Sequence, residues 1–229
     1  MKELIKMTKT EVAVFFLMSI LSGLMIGIGG SASLLAIDTL GVAGKLIGAI
    51  LFTLGIFAIV TFEMRLFTGM VADIPTMGIK NTWRLPICFL GNILGVAVIA
   101  LLVYQTSISE ALIRQSEIIS QKKLGADNWV LSALCSSILC GGLITLSVWS
   151  VKYSPRKGLD ATLGVTFPIV VFAFCGFDHS VANVLYFYLS GTFTWQVVWY
   201  ELLCVLGNII GGIILPLAHL FREHSKKRD

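Results

Sequence analysis

Long, sparsely charged apolar runs dominate this sequence and decide what it can fold into. Six are legible, at 11–36, 43–62, 85–104, 129–151, 161–189 and 195–221. Each is near or above the ~20 residues that a helix needs to cross a bilayer. Charged residues make up only 13% of the 229, against roughly 25% in an average soluble domain. The expectation is an all-α integral membrane protein with six transmembrane helices. A single channel domain then takes up 1–229, with no room for a second, soluble one. The first run is too long for a signal-peptide core, and no small-residue cleavage site follows it. All five cysteines (Cys88, Cys135, Cys140, Cys175, Cys204) fall inside apolar runs without CxxC or Cys/His spacing. They read as small apolar residues, and no cofactor or metal is expected. The net charge of +4 comes largely from the flanks, and no basic stripe suggests nucleic acid.

Charge placement orients the chain. Lys2, Lys6 and Lys9 precede the first run, and Arg222, Lys226, Lys227 and Arg228 follow the last. Lys80 and Arg84 lie between runs two and three, and Lys152, Arg156 and Lys157 between four and five. With six spans these segments share one side. The other side holds Lys45, Arg114, Lys122 and Lys123, and nothing basic in 190–194. The positive-inside rule then puts both termini in the cytoplasm, in a multi-pass protein of the cytoplasmic membrane.

The chain also contains a near-duplication. Run three has Leu90-Gly91-Asn92-Ile93-Leu94-Gly95, and run six has Leu206-Gly207-Asn208-Ile209-Ile210-Gly211. The match is either a coincidence of common membrane residues or the mark of two halves of three helices, about 1–107 and 128–221. An odd number of helices per half sets the second half upside down, the inverted-repeat plan of many transporters and channels. The Gly-xxx-Gly spacing also lets helix backbones approach closely. A true repeat demands matching second helices, and runs two and five are both interrupted. Run two reaches Phe62-Glu63-Met64-Arg65-Leu66-Phe67-Thr68-Gly69, and run five reads Gly176-Phe177-Asp178-His179-Ser180-Val181-Ala182-Asn183 before turning apolar again. Paired breaks of this kind point to a substrate site, because non-helical backbone at membrane depth survives only where it lines a cavity or is buried in protein.

His179 is the only histidine inside an apolar run and away from a terminus. An ionisable residue there is a functional candidate, and imidazole titrates near neutrality, so it can exchange a proton with a weak acid. The alternative is a structural histidine that ties the broken helix together. Asp178 or freed backbone carbonyls are candidates to set its tautomer. Thr68 reads as its counterpart in the first break, with a hydroxyl that donates or accepts. Helix ends at the centre bring partial positive charge, which suits an anion. Arg65 and Glu63 either pair with one another or leave Arg65 as an attracting charge. Asp160 is expected to cap run five. Trp83, Trp129, Trp149, Trp195 and Trp199, near run ends, read as interface anchors.

At these breaks the sequence resembles the formate/nitrite transporter family. Gly176-Phe177-Asp178-His179-Ser180-Val181-Ala182-Asn183 is similar to the family's G-F-E-H-S-[IV]-A-N signature, and Leu66-Phe67-Thr68-Gly69 to its L-F-T-[GS]. The Gly-Asn motif of helix three, Leu146-Ser147-Val148-Trp149 and Pro168 follow in the same order. The resemblance spans nearly the whole chain. It implies an aquaporin-like fold of six helices with the second and fifth broken, and a homopentamer with one pore per subunit. It also implies passage of small monovalent anions such as formate, nitrite, hydrosulfide or lactate. By position, His179 becomes the central pore histidine and Thr68 its partner. Leu66 and Phe52 on one side and Phe172 on the other become apolar constrictions, with Phe67, Asn92, Asn183 and Asn208 around the pore. Three departures stand out: Arg65 replaces a usual Glu, Cys140-Gly141 replaces a Cys-Asn pair, and the family's vestibule lysine has only Lys122 or Lys123 as candidates, out of register.

The functional expectation is a passive channel, with proton-linked conduction left open. Its rivals are a proton-coupled secondary transporter of a weak acid and an aquaporin-like neutral-solute channel. The last needs two Asn-Pro-Ala motifs, and the chain has none. An enzyme is not expected, since neither HExxH nor Gly-x-Ser-x-Gly occurs.

Overall fold

A computed structural model describes residues 7–153 and 158–226 of the chain. Of the basic residues that orient it, Lys2, Lys6, Arg156, Lys157, Lys227 and Arg228 lie outside the described residues. The rest is all-helical, with no strand among the described residues.

The first helix, α1, is Lys9–Thr61. It opens with a capping box in which Thr8 Oγ1 accepts from the Glu11 N–H and the Glu11 carboxylate accepts from the Thr8 N–H. A straight helix of that length measures about 80 Å, far beyond the ~30 Å of a hydrocarbon core. The chain solves this at Gly41, where φ 57° and ψ −122° turn it sharply. The arm after Gly41 packs back antiparallel on the arm before it. A Cβ added to Gly55 would lie 2.5 Å from the Met25 carbonyl oxygen, and one on Gly48 would lie 2.8 Å from that of Ser33. Nothing lies within 4 Å of a Cβ at Gly41 itself, so glycine is there for its backbone angles and not for space.

After short helical pieces α2 (Phe67–Met70) and α3 (Ile74–Met77) come α4 (Arg84–Val103) and α5 (Ser109–Leu124). Where hydropathy alone offers a loop, α5 forms because Leu112, Ser116 and Ser120 make one buried stripe at four-residue spacing. Its Arg114 holds Asp38 bidentately, Nε to Oδ1 at 3.0 Å and Nη2 to Oδ2 at 2.8 Å, clamping α5 to the turn of α1. Then follow α6 (Trp129–Tyr153), α7 (Leu159–Cys175), α8 (Ser180–Leu189) and α9 (Trp195–Ser225). Segments Lys9–Thr61, Ile79–Val103, Trp129–Tyr153 and Trp195–Ser225 are each long and apolar enough to span a membrane. The pair α7 and α8, bent by 45° at its break, makes a further candidate. The N-cap of α7 is Gly158, not Asp160; Asp160 sits in the first turn, where its charge still suits the helix dipole.

Two helix pairs organise the core, and their close approaches match. The first arm of α1 runs parallel to α4, and α6 runs parallel to α9. A Cβ on Gly91 would stand 2.6 Å from Ser19 Cβ, and one on Gly207 would stand 2.5 Å from Ser137 Cβ. Facing them, a Cβ on Gly23 would meet the Asn92 carbonyl carbon at 2.8 Å, and one on Gly141 would meet Asn208 Cα at 2.8 Å. Small residues bring these backbones into contact, the packing available when lipid removes any hydrophobic drive between helices. The contacts reveal a second duplication in the sequence: Ser19-Ile20-Leu21-Ser22-Gly23 against Ser137-Ile138-Leu139-Cys140-Gly141. Gly141 is therefore the counterpart of Gly23, and a side chain there would separate α6 from α9.

Candidate functional site

Both interruptions are held by an asparagine from the duplicated motif. Beyond Thr61, Glu63 takes φ 51° and Leu66 is extended, and helix resumes at Phe67. Asn92 Nδ2 donates to the Ser19 carbonyl at 2.8 Å and to the Arg65 carbonyl at 2.9 Å, and its Oδ1 accepts from the Phe67 N–H at 2.8 Å. In the other half α7 ends on left-handed Gly176, His179 is extended, and helix resumes at Ser180. Asn208 Nδ2 donates to the Ser137 carbonyl at 2.9 Å and to the Asp178 carbonyl at 2.9 Å, and its Oδ1 accepts from the Ser180 N–H at 3.0 Å. Each amide thus satisfies one carbonyl and one N–H that the broken helix leaves free, plus one carbonyl of the parallel neighbour. Without them the Phe67 and Ser180 N–H groups would be buried and unpaired, at a cost of about 1–3 kcal/mol each, while the Arg65 carbonyl would keep the Cys88 Sγ–H at 3.2 Å.

The expected pairing of Thr68 with His179 is present, and the bonds show its register. They match Arg65 with Asp178 and Phe67 with Ser180, so Leu66 stands in its break where His179 stands in the other. Thr68 stands two residues further on and meets His179 from the other break. Thr68 Oγ1 lies 2.9 Å from His179 Nε2, and the two residues are 0% and 1% exposed. His179 is also the N-cap of α8, its Nδ1 accepting from the Ala182 N–H at 3.1 Å. That bond assigns the tautomer. Nδ1 carries the lone pair, Nε2 carries the proton and donates to Thr68, and the Thr68 hydroxyl hydrogen is left free for a third group. The tautomer is therefore set by a freed N–H, not by Asp178 or a carbonyl. On one side the Phe172 ring stacks on His179 with centroids 5.7 Å apart, and Phe52 meets Phe172 edge-on at 5.5 Å. Phe52, Leu66, Phe67 and Phe172 are all buried.

The two resumed helices leave this junction in opposite directions. The segment from Phe67 leads to the start of α4, seven residues beyond Met77. The end of α8 lies at the other end of α4, where Tyr104 Oη donates to the carbonyls of Tyr188 (3.1 Å) and Leu189 (3.0 Å). A 20-residue helix separates those points, about 30 Å.

Asp178 is turned away from His179 and anchors a second cluster. Its carboxylate accepts from Lys123 Nζ, from Asn183 Nδ2 at 3.1 Å and from Tyr200 Oη at 3.0 Å, and its own N–H donates to Ser136 Oγ at 2.9 Å. Of the two candidate lysines, Lys123 reaches this cluster from the end of α5 and Lys122 is exposed. The Arg65 side chain is exposed too, and only its carbonyl joins the site. Among the described residues no ion pair joins it to Glu63. Ser19, Ser137, Cys88, Tyr200 and Cys204 also support the breaks and were missed. Aligning the two serine-containing repeats, and noting that Cys88 and Cys204 each precede their Asn by four, is the signal that finds four of them.

A sequence profile described as Formate/nitrite transporter matches residues 1–221. The chain belongs to the formate/nitrite transporter family. That makes it a membrane transport protein and not an enzyme. Among its relatives, the uncharacterized transporter YrhG of Bacillus subtilis (strain 168) is 26% identical over 98% of this chain and 90% of its own length. The formate channel FocA of Escherichia coli (strain K12) is 28% identical over 78% of this chain and 66% of FocA. A solved structure titled "Pentameric formate channel with formate bound" superposes with a TM-score of 0.79 at 22% identity, covering 95% of this chain and 99% of that one. This chain shares its fold.

Proposed function

We propose that this protein is a passive channel for small monovalent anions, formate or nitrite foremost, in the cytoplasmic membrane. In this reading the two arms of α1, then α4, α6, the broken pair α7–α8, and α9 make six crossings. The halves, about 1–107 and 128–221, are an inverted repeat of three helices each, as in aquaporins. Support comes from the opposed directions of α2–α3 and α8, from the mirrored Asn92 and Asn208 bonds, and from the family. The likeness to a pentameric formate channel supports a homopentamer with a pore in each subunit. Both termini are cytoplasmic by charge placement.

The observation that carries the proposal is the buried Thr68–His179 contact where two helix breaks meet. An anion entering the slit formed by Leu66, Phe52 and Phe172 loses hydration, which costs several kcal/mol or more. The N-terminus of α8 offers partial positive charge, and the free hydrogen of the Thr68 hydroxyl offers a donor to an anion oxygen. Because His179 Nε2–H donates to the same hydroxyl, proton sharing along His179–Thr68–anion lets the ion pass nearly neutral. Asn183 and Lys123 hold Asp178, and through it the backbone, one residue from His179.

Stopped-flow uptake into proteoliposomes tests this directly, with formate, nitrite, hydrosulfide, acetate and chloride compared at two pH values. Formate or nitrite is expected to enter faster than acetate and chloride, without needing an imposed proton gradient. Rates no faster than empty liposomes for every anion sink the proposal, and strict dependence on a proton gradient replaces the channel with a coupled carrier. In the same assay His179→Phe changes the rate, its pH dependence or the anion selectivity. If none of these moves, the role given to His179 is wrong.

A further inference from the structure

Lys123 and Asp178 balance one another, but a second carboxyl stands beside them. Glu201 is on α9, between Tyr200, which donates to Asp178, and Cys204, which accepts from Asn183 at 3.4 Å. Positions 200, 201, 204 and 208 share one face of the helix at three- and four-residue spacing, the face turned to the break. Both Glu201 carboxylate oxygens are buried, and neither meets hydrogen-bond geometry with a group among the described residues; the neutral polar side chain beside it is the Asn183 amide, which donates instead to Asp178 and Cys204. The charged groups facing it are Asp178 from the break and Lys123 from α5. The remaining titratable neighbours of this cluster are Cys140 on α6, Tyr186 on α8, and Tyr200 and Cys204 on α9. Thiols and phenols are ordinarily uncharged at neutral pH, so one lysine faces two carboxyls. Trp129 stacks on Tyr200 at 6.2 Å, and Phe187 meets the same ring edge-on at 5.8 Å. Two carboxylates sharing such a site cannot both ionise cheaply, and one of them retains its proton.

We propose that Glu201 is that proton carrier and acts on conduction as a selectivity charge. With the proton on, the Lys123–Asp178 pair is balanced and the neighbouring pore admits anions. When the proton leaves to bulk water, an unbalanced negative charge sits beside the residue that adjoins His179 and slows anion passage. The effect on flux rests on the anion-channel reading; the protonation does not.

The test compares wild type with Glu201→Gln, which copies the neutral acid in shape, in proteoliposomes carrying formate at acidic, neutral and alkaline pH. The variant-to-wild-type flux ratio is expected near one at acidic pH and rising toward alkaline pH. Using the ratio cancels any change in the formate species itself. Infrared spectra of the purified wild-type protein supply the second measurement: a carboxylic-acid carbonyl band at neutral pH that disappears at alkaline pH and is missing from the variant. A flux ratio that does not change with pH overturns the selectivity role. Absence of the band overturns the protonation, even if no anion is carried. If the variant fails to fold, the wild-type band and its titration still decide between a protonated and an ionised Glu201.

Discussion

Replacing Asn208 with leucine tests whether one amide holds the second helix break. Leucine is close to asparagine in size, so the change removes hydrogen bonds without opening a large cavity. Three bonds are lost, to the carbonyls of Ser137 and Asp178 and from the Ser180 N–H. Interhelical hydrogen bonds in membranes average about 0.6 kcal/mol, and typical protein hydrogen bonds about 1 kcal/mol. Three of them place the loss at about 2–3 kcal/mol. Asn92→Leu removes the same three kinds of bond in the first half and is expected to cost the same within about 1 kcal/mol. Reversible unfolding in mixed detergent micelles, followed by circular dichroism, measures both. The transport consequences should differ, because Asn208 grips the residues on either side of His179 while Asn92 grips those on either side of Leu66. Asn208→Leu should therefore alter anion flux and its pH dependence more than Asn92→Leu does. A loss below about 0.5 kcal/mol for either variant, or flux profiles unchanged in both, would refute the role assigned to these residues.

Thr68→Val keeps the shape of the side chain and removes the acceptor of the His179 proton and the donor offered to the anion; formate flux in liposomes should fall by about tenfold, the equivalent of 1.4 kcal/mol, with little change in melting temperature. Gly41→Ala puts a side chain where φ is 57° and ψ is −122°, and an unfolding titration should show about 1–3 kcal/mol of destabilisation although nothing crowds the new methyl group. Gly141→Asn introduces a Cβ that would meet Asn208 Cα at 2.8 Å, so α6 and α9 must separate and the melting temperature should drop; a variant as stable as the parent would show that the contact is not as tight as described.

Much of the site was legible because it rests on local chemistry. Hydropathy marks an apolar helix wherever it lies, and the polar breaks at 63–69 and 176–183 stand out because lipid tolerates polar backbone so poorly. The shared Leu-Gly-Asn motif points to a duplication on sequence alone. What that motif does was not legible. Nothing in a sequence says that an amide on α4 will bridge Ser19 to Arg65 and Phe67, residues from two other, separate stretches.

Sequence by itself determined that this chain lives in a membrane as apolar helices, that two of its runs are interrupted, and that His179 and Thr68 lie at the interruptions. Those properties follow from composition and spacing, which act at short range. Only the tertiary structure decided the partners. It paired His179 with Leu66 by symmetry and with Thr68 by contact, gave its tautomer to the Ala182 N–H, chose Lys123 over Lys122, and left Glu201 buried beside a pair already balanced. Such choices depend on which helix ends meet, and that is settled by the close packing of glycine and serine faces between segments far apart in the chain.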